Sequence, residues 1–320
     1  MASNAESVIM EFKDRRVLVT GGAGVIGQEL VQKLVSAGAY VTCMDIKPSP
    51  PSFPESVEYI QGDLSTTSPE KIASHDPEYL FHLAATFERT TETPEFADDN
   101  FKNNIQLSHV ILKAAGLSKN LKKIIFTSSY LVYDPDQYLS AEPIAEPKTL
   151  SETSLIHPRN LIGAAKYYTE NELEYQNRIT NHFTILSARI FRVYGKGSKD
   201  IVSRWIRAAL NSEELYVYNK NNQFDYIYAG DVAEGLLRMA ASVQENTVLN
   251  LGYGATHKVE EIAAILKNQF SDVMIRDGGT KDLYEASCAG IDRLKALTGW
   301  QPEISLEQGI QRIIDYETNR

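Results

Sequence analysis

A glycine-rich stretch close to the start of the chain, Thr20-Gly-Gly-Ala-Gly-Val-Ile-Gly27, has the residue types and the spacing of a turn that binds a dinucleotide. It lies between an apolar run typical of a strand and an amphipathic run typical of a helix. In such a turn the first glycine permits the sharp bend, the second lets the backbone approach a pyrophosphate, and the third lets the helix pack closely on the strand. The helix N-terminus adds free amides and a positive dipole. The predicted cofactor contacts in this turn are Gly21, Gly24, Val25, Ile26 and Gly27.

An acidic residue at the end of the next predicted strand indicates which dinucleotide binds. Glycines alone are also common in ordinary turns, so the stretch needs a second signal. The strand Tyr40–Met44 is followed by Asp45, close to the spacing of about 20 residues expected for the acid that binds the adenosine ribose hydroxyls. A carboxylate at this position repels the 2′-phosphate of NADP. The sequence therefore predicts NAD as the cofactor.

Two later strand ends carry further candidate contacts to the cofactor. Gly62-Asp63-Leu64 follows a short predicted strand and stands in the right order for an adenine contact, although Asp63 fits equally well as the cap of the Ser/Thr-rich turn after it. Leu80–Leu83 is a predicted strand that runs into Ala84, whose small side chain lets the backbone pass close to a cofactor. His82 lies among apolar residues and is predicted to be a core histidine rather than a ligand.

These contacts require strands and helices that alternate along the chain. Apolar runs typical of strands continue at 123–126 and 183–187, and helical periodicity is found at 104–115 and 159–177. This alternation predicts an α/β fold with a doubly wound parallel sheet (a Rossmann fold), which binds its ligands at the carboxyl ends of the strands. The predicted organisation is an N-terminal extension (1–14), a Rossmann domain (15–188) and a smaller, mainly substrate-binding C-terminal domain (189–320), with 231–251 a candidate for returning to the Rossmann domain.

Composition excludes several classes of partner. The chain has 320 residues and a formal net charge of −10, which argues against nucleic acid or an anionic membrane as the main partner. No apolar run approaches the length of a membrane span, and the N-terminus lacks the features of a signal peptide. Cys43 and Cys288 are too few for a disulfide framework or a cysteine-based metal cluster, so the sequence predicts a cytoplasmic protein without a metal site.

Further motifs make the chain resemble a known family, the extended short-chain dehydrogenase/reductases, and within it the NAD-dependent epimerase/dehydratase group that acts on nucleotide sugars. The resemblance extends over nearly the whole chain from Arg16. Besides the residues above, it depends on Asn104, Thr127-Ser-Ser129, Val132-Tyr133, Arg189-Ile-Phe-Arg-Val-Tyr-Gly195, Tyr226-Ile-Tyr228, Asp231-Val232, Asn250-Leu-Gly252 and Thr298-Gly-Trp-Gln-Pro302. Each motif is weak alone, but their order along the chain is specific. The resemblance implies a nucleotide-diphosphate sugar as the substrate and adds Asn104 to the cofactor contacts.

The resemblance also implies catalytic residues on the fifth strand and the long helix. Ser129 corresponds to the hydroxyl that binds the sugar oxygen to be oxidised, and Lys166 to the lysine that binds the nicotinamide ribose. In the family a tyrosine four residues before this lysine accepts the proton, but that residue is Ile162 here, and no tyrosine lies between Tyr138 and Tyr167. Loss of a general base typically costs about 100- to 10,000-fold in rate. The base has therefore moved, the reaction has changed, or catalysis has been lost.

Three interpretations of this substitution stay open. Tyr130, directly after Ser129, is the candidate substitute base, although it fits equally well as a residue that lines the sugar pocket. The second candidate is Lys166 or an ordered water, with Ser129 relaying the proton. The third interpretation is a protein that binds NAD without turnover. Dehydration of the sugar is disfavoured, because the dehydratases have Asp-Glu directly after the hydroxyl residue and this chain has Tyr130-Leu131.

Substrate contacts and assembly follow less directly from the resemblance. Arg192 stands where many relatives have asparagine near the sugar diphosphate, and it could clamp a phosphate or pair with a nearby acid. Phe224 stands where relatives commonly have arginine, and Lys281 is the cation nearest to another phosphate-binding position of the family. The apolar helices predicted at 104–115 and 159–177 resemble the pair with which relatives dimerise. A homodimer is therefore predicted.

The predicted function is that of an NAD-dependent nucleotide-sugar epimerase-type enzyme with an atypical base. The resemblance makes the C4 hydroxyl the one that is oxidised. Two alternatives stay open: a dehydrogenase that holds NAD(H) tightly and passes the hydride to a second substrate, and a non-catalytic NAD-binding sensor or partner subunit. Which sugar and which nucleotide would bind is not specified by these motifs.

Overall fold

Residues 10–86, 92–180, 182–281 and 283–319 are described by the structure, a computed structural model of the chain. The strands are β1 (Arg16–Thr20), β2 (Tyr40–Asp45), β3 (Glu58–Gln61), β4 (Tyr79–His82), β5 (Lys123–Ser129), β6 (Leu139–Ser140), β7 (Lys148–Leu150), β8 (Thr184–Ile190), β9 (Arg192–Tyr194), β10 (Leu215–Tyr218), β11 (Gln223–Phe224), β12 (Tyr226–Tyr228), β13 (Thr247–Leu251), β14 (His257–Lys258), β15 (Ile275–Gly279) and β16 (Tyr284–Ala289).

The helices connect these strands and cover the sheet. They are α1 (Val25–Ser36), α2 (Pro69–Ala73), α3 (Pro94–Asn100), α4 (Leu107–Leu117), α5 (Leu161–Thr180), α6 (Ile201–Leu210), α7 (Ala229–Ser242), α8 (Val259–Gln269), α9 (Asp292–Thr298) and α10 (Leu306–Thr318). A π-helical segment, Phe101–Gln106, joins α3 to α4, and 3₁₀ turns follow β5 at Tyr130–Val132 and Pro135–Gln137. No helix in the described part of the chain is long and apolar enough to cross a membrane.

The main sheet has seven parallel strands in the order β13-β8-β5-β4-β1-β2-β3. The chain builds outward from β1 to β3 and then crosses to the other side of β1 with β4. This reversal is the topological switch point, and ligands of such sheets bind outside the carboxyl ends of the strands there. The predicted doubly wound Rossmann fold is confirmed.

Helices bury apolar stripes on both faces of this sheet. Leu30 and Leu34 of α1 pack with Leu236 of α7 on one face. Ile111 of α4 and Leu173 of α5 are fully buried on the other face. The strands between them are apolar on both sides, as expected for a parallel sheet that is covered by helices.

A smaller layer packs beyond the carboxyl edge of the sheet. Its core has its own apolar cluster from α6, α8 and α10, which includes Ile206, Ile262 and Ile310. β16 pairs with β11 and β7 in parallel and with β6 in antiparallel orientation. The segment 139–150, which the prediction counts with the Rossmann domain, therefore contributes two strands to the smaller layer.

Two elements differ from the sequence expectation. The helix predicted at 104–115 starts as the π-helical segment and becomes α-helical only at Leu107. Of the predicted extension 1–14, residues 1–9 lie outside the described part of the chain, but Phe12 is fully buried and its ring lies 5.1 Å from that of Tyr79. The end of that segment is therefore packed on the Rossmann domain.

Candidate active site

The glycine turn between β1 and α1 has the geometry of a phosphate cradle. Gly21 has a φ of +74°, and a Cβ placed on it would lie 2.5 Å from the Ala84 nitrogen. A Cβ on Gly27 would lie 2.4 Å from the Gly21 carbonyl oxygen. Beside Gly24, by contrast, the nearest atom is that same oxygen at 3.1 Å, so the turn is open on this side. Gly24 caps α1, whose first amides, at Val25 and Ile26, have no acceptor within the helix and favour an anion.

Asp45 lies at the carboxyl end of β2 beside this turn. Its Oδ2 accepts the Ala23 amide at 2.9 Å and its Oδ1 accepts the Lys47 amide at 2.9 Å. A carboxylate has about four acceptor sites, so two stay available to ribose hydroxyls. The fixed carboxylate and the cradle together fit an adenine dinucleotide without a 2′-phosphate.

Asp63 and Leu64 lie at the end of the neighbouring strand β3. Asp63 Oδ1 accepts hydrogen bonds from the Ser65 amide at 2.9 Å and the Ser65 hydroxyl at 2.6 Å, and Lys102 Nζ lies 2.8 Å from Oδ2. The bonds from Lys102 and Ser65 lower the pKa of this carboxyl. Asp63 thus caps the turn after β3. A cavity of about 60 Å³ beside it is lined by Met44, Ile60, Gln61, Gly62, Leu64, Thr67 and Lys71.

Asn104 fixes the loop that follows β4. Its Oδ1 accepts the Thr86 amide at 2.9 Å, and its Nδ2 donates to the Thr86 carbonyl at 3.2 Å and to Asn100 Oδ1 at 2.7 Å. These bonds fix the chain at Thr86, two residues after the Ala84 that lies against Gly21. The π-helical segment turns Asn104 toward this loop, and such segments frequently occur at functional sites.

His82 is a core residue, as its apolar neighbours in the sequence indicate. It is fully buried, with Nδ1 2.8 Å from Thr20 Oγ1 and Nε2 3.0 Å from Ser108 Oγ. Burial and, secondarily, the charge of Lys166 lower its pKa to about 3. The imidazole is therefore neutral and ties β4 to β1 and α4.

The end of β5 and the start of α5 bring the predicted catalytic residues together. Ser129 ends β5, and its Oγ accepts the Leu131 amide at 3.2 Å, which caps the 3₁₀ turn. The helix passes close to this turn, since a Cβ on Gly163 would lie 2.2 Å from the Leu131 carbonyl oxygen. Ile162, in place of the tyrosine, is 2% exposed and belongs to the main apolar core.

Lys166 lies one turn further along α5. Its Nζ is 4.9 Å from the centre of the Phe126 ring on β5. Burial disfavours the charged ammonium and lowers the pKa of Lys166 to about 8. An appreciable fraction of this amine is therefore neutral near physiological pH, unlike that of an exposed lysine.

An ion pair buried behind Ser129 fixes its strand against α5. Glu170 follows Lys166 by one helical turn and accepts hydrogen bonds from Arg189 of β8 through both carboxylate oxygens, at 3.0 and 2.7 Å. Ser128 Oγ donates to the same carboxylate at 2.5 Å. Both charged side chains are less than a tenth exposed. The sequence analysis named Arg189 only as a motif residue and missed this contact, which joins β5, α5 and β8.

Tyr130 belongs to the main apolar core, and its hydroxyl reaches Glu285 of the smaller layer. Its hydroxyl donates to Glu285 Oε1 at 3.1 Å, and its ring stacks on Phe191 with 5.1 Å between centres. Burial raises the pKa of Tyr130, and Arg192 offsets only part of this. For Arg192 the sequence left two roles open, clamping a phosphate or pairing with an acid. Its Nη2 lies 3.6 Å from Glu285 Oε2. Glu285 itself, on β16, was not singled out from the sequence.

Two further predicted positions have structural contacts of their own. Phe224 lies under Arg192, with 3.6 Å between the guanidinium carbon and the ring centre. Lys281 lies over Tyr218, with 3.5 Å between Nζ and the ring centre. An aromatic ring at position 224 thus supports a cation at position 192.

Comparison with known proteins finds relatives that match nearly the whole chain. A relative named "Putative UDP-glucose 4-epimerase", from Methanocaldococcus jannaschii, is 28% identical over 95% of this chain and 98% of its own length. UDP-glucuronic acid decarboxylase 6 from Arabidopsis thaliana is 28% identical over 92% of this chain and 86% of its own length. The structure of UDP-glucose 4-epimerase from Thermotoga maritima with UDP-glucose is 26% identical, covers 95% of this chain and 99% of that chain, and has a TM-score of 0.79.

A family model covers the cofactor cradle and the predicted catalytic residues together. It is the model of the NAD dependent epimerase/dehydratase family, and it matches residues 17–252. The predicted cofactor, NAD, is confirmed by this match. Since most of the chain, from the glycine turn through Ser129 and Lys166 to β13, falls within the match, the protein belongs to the NAD dependent epimerase/dehydratase family.

Proposed function

We propose that this chain is an epimerase-type enzyme that oxidises the C4 hydroxyl of a nucleotide-diphosphate sugar. What supports the proposal is that Ser129 lies at the carboxyl end of β5 and that Lys166 of α5 lies over Phe126 of the same strand, in a sheet whose β1 leads into the glycine cradle. The cradle, Asp45 and Lys166 would hold NAD, which when bound supplies the acceptor for the hydride of the sugar carbon. The relatives named for UDP-glucose support a nucleotide sugar as the substrate.

In this proposal Ser129 Oγ binds the sugar hydroxyl and Lys166 Nζ accepts its proton, directly or through Ser129. Ile162 has no group that could do so. Tyr130 is a poor acceptor, because its hydroxyl already donates to Glu285 and its pKa is raised by burial. Lys166 has a pKa lowered to about 8, close to the range in which a general base is effective. These contacts favour Lys166 over Tyr130 among the three interpretations of the missing tyrosine.

We further propose that the enzyme acts as a homodimer through α4 and α5, which pack side by side. Tyr168, Tyr175 and Ile179 are 49%, 63% and 64% exposed and share one face of α5. Leu117 of α4 is 50% exposed beside them. Burial of this stripe in a four-helix interface would remove it from water. Light scattering should give the mass of a dimer, and Tyr175→Glu should give that of a monomer, while Tyr216→Glu, at a half-exposed tyrosine of β10, should not.

The catalytic proposal is tested by replacing Ser129 with alanine. Ser129→Ala should abolish interconversion of UDP-glucose and UDP-galactose, followed by NMR, without reducing NAD binding measured by calorimetry. Ser36→Ala, at an exposed serine of α1, is the matched control and should leave both unchanged. Unchanged turnover in Ser129→Ala would remove the assignment, and no turnover of any nucleotide sugar by the wild type would contradict the proposed function.

A further inference from the structure

The charged side chains next to Tyr130 lie within reach of a sugar bound at Ser129. Ser129 of β5 pairs in register with Ile190 of β8, and Arg192 follows two residues later. Adjacent strands are about 5 Å apart and two residues span at most about 7 Å, so the two backbones are no more than about 12 Å apart. The arginine side chain bridges much of this distance. A group bound by Arg192 would therefore belong to the same sugar nucleotide whose hydroxyl is held by Ser129.

Glu285 makes its close hydrogen bonds to residues other than Arg192. Its Oε1 accepts hydrogen bonds from Tyr130 at 3.1 Å and from Ser287 at 3.2 Å, and its Oε2 accepts from Arg159 Nη1 at 2.6 Å. Arg192 approaches Oε2 only to 3.6 Å, beyond hydrogen-bond distance. The Glu285 carboxylate is 3% exposed, and the cation closest to it is Arg159. Two guanidinium groups share one carboxylate, which leaves one positive charge in excess.

Two buried donors beside this charge lack an acceptor. Within the described residues, neither Arg192 Nε nor the Tyr226 hydroxyl has a hydrogen-bond partner. Tyr226 is 3% exposed and pairs in register with Arg192 on the neighbouring strand, so the two side chains lie on one face. Burial raises the pKa of Tyr226, so the phenol keeps its proton as a donor. Buried donors without partners are costly, and an acceptor that carries negative charge would satisfy both.

Phe224 orients Arg192 for such an acceptor. The ring supports one face of the guanidinium, whose Nη2 donates to the Tyr130 hydroxyl at 3.4 Å and whose Nε has no acceptor among the described residues. The Arg192 side chain is 36% exposed, so part of the guanidinium is open to a ligand. A planar guanidinium edge matches a carboxylate, and one excess positive charge balances one carboxylate rather than the two charges of a diphosphate.

We propose that Arg192 and Tyr226 bind the carboxylate of a sugar acid, so that the substrate is a nucleotide-linked uronate. This inference rests on the proposed function, because it presumes that the sugar is bound at Ser129. Arg159 and Glu285 position the pocket rather than contact the ligand. Tyr130, which closes the side of the pocket next to Ser129, sets its shape.

The test compares two probes that differ only at C6: UDP-glucuronate, which carries a carboxylate, and UDP-glucose, which carries a hydroxymethyl group. Calorimetry on the NAD-loaded protein should show that UDP-glucuronate binds at least about tenfold more tightly. Arg192→Met should weaken UDP-glucuronate by about 10- to 100-fold and UDP-glucose by less than about twofold. Tyr226→Phe should weaken only UDP-glucuronate, by about fivefold. Arg207→Met, at an arginine of similar exposure paired with Glu317, is the matched control and should change neither affinity.

Each other outcome overturns the inference in a distinguishable way. Equal losses for both probes in Arg192→Met would place the arginine on the diphosphate. Equal affinities of the wild type for both probes would show that the site does not recognise the carboxylate, and would leave the proposed function intact. Binding of neither probe by a protein that still binds NAD would contradict the proposed function itself.

Discussion

Lys166→Arg separates the two roles that we propose for this lysine, holding a positive charge at the cofactor and accepting a proton. An amine of pKa about 8 is about one-tenth neutral at pH 7, half neutral at pH 8 and nine-tenths neutral at pH 9. If the neutral amine is the base, the rate of sugar oxidation in the wild type rises roughly tenfold from pH 7 to pH 9. The direction follows from the sign: only the deprotonated form can accept the proton, so activity increases with pH.

Arginine keeps the charge and stays protonated throughout this range. Lys166→Arg should therefore reduce the oxidation rate by about 100- to 10,000-fold, the contribution of a general base, and should remove the rise with pH. NAD affinity should change by only a few-fold, because the cation is retained. Lys295→Arg, at an exposed lysine of α9, is the matched control and should behave like the wild type.

The assay is a single-turnover measurement of reduced nicotinamide after rapid mixing with excess nucleotide sugar, because the steady-state rate can report product release instead. NAD affinity is measured separately by calorimetry. A wild-type rate that is flat from pH 7 to pH 9, or a Lys166→Arg rate within about threefold of the wild type, would refute the assignment of Lys166 as the base.

Four substitutions probe the rest of the site. Tyr130→Phe should retain a rate within about tenfold of the wild type if Tyr130 is not the base, and a loss above about 100-fold in single turnover would restore it as the candidate. Asp45→Ala should weaken NAD by about 10- to 100-fold in calorimetry, and unchanged affinity would undercut the ribose contact. Glu170→Gln should lower the free energy of unfolding by about 3 kcal/mol, since Arg189 loses its charged partner inside the protein; urea denaturation measures this, and a change below about 1 kcal/mol would contradict it. Ile162→Tyr should lower the free energy of unfolding by about 1–3 kcal/mol through overpacking. Its oxidation rate should stay within about threefold of the wild-type rate, and a gain of about 100-fold would show that the wild-type site lacks a base.

The cofactor half of the site was predictable from sequence because it is local. The bend at Gly21, the close packing at Gly27 and the start of α1 lie within a few residues of one another, and backbone sterics alone determine which residues fit. Asp45 is more distant in the chain, but it ends the strand next to β1, and parallel pairing brings that end to the turn. The order of strands and glycines therefore specified this geometry.

The substrate half was not predictable because its contacts join distant segments. Glu285 meets Tyr130 and Arg159 only because β16 pairs with β6 and β7, which belong to a segment that the sequence assigned to the other domain. No local pattern marks a carboxylate that will be buried between two arginines. The π-helical segment at Asn104 escaped detection for a different reason: its hydrogen bonds join residues five apart instead of four, which changes the direction of a few side chains without a pattern of residue types that marks it.

We interpret two features together: Ile162 at the position of the family tyrosine, and the lowered pKa of Lys166. A phenol at position 162 would be a polar group that needs a hydrogen-bond partner, whereas Ile162 of α5 is 2% exposed and belongs to the main apolar core. Burial is also what lowers the pKa of Lys166. In the proposed mechanism a lysine of pKa about 8 accepts the proton itself, so the substitution that removes one base accompanies the environment that supplies another. The chain has the glycine cradle, Asp45, Lys166 and Ser129 together. A protein that binds NAD without turnover would have no chemical need for Ser129, so this combination favours the catalytic proposal.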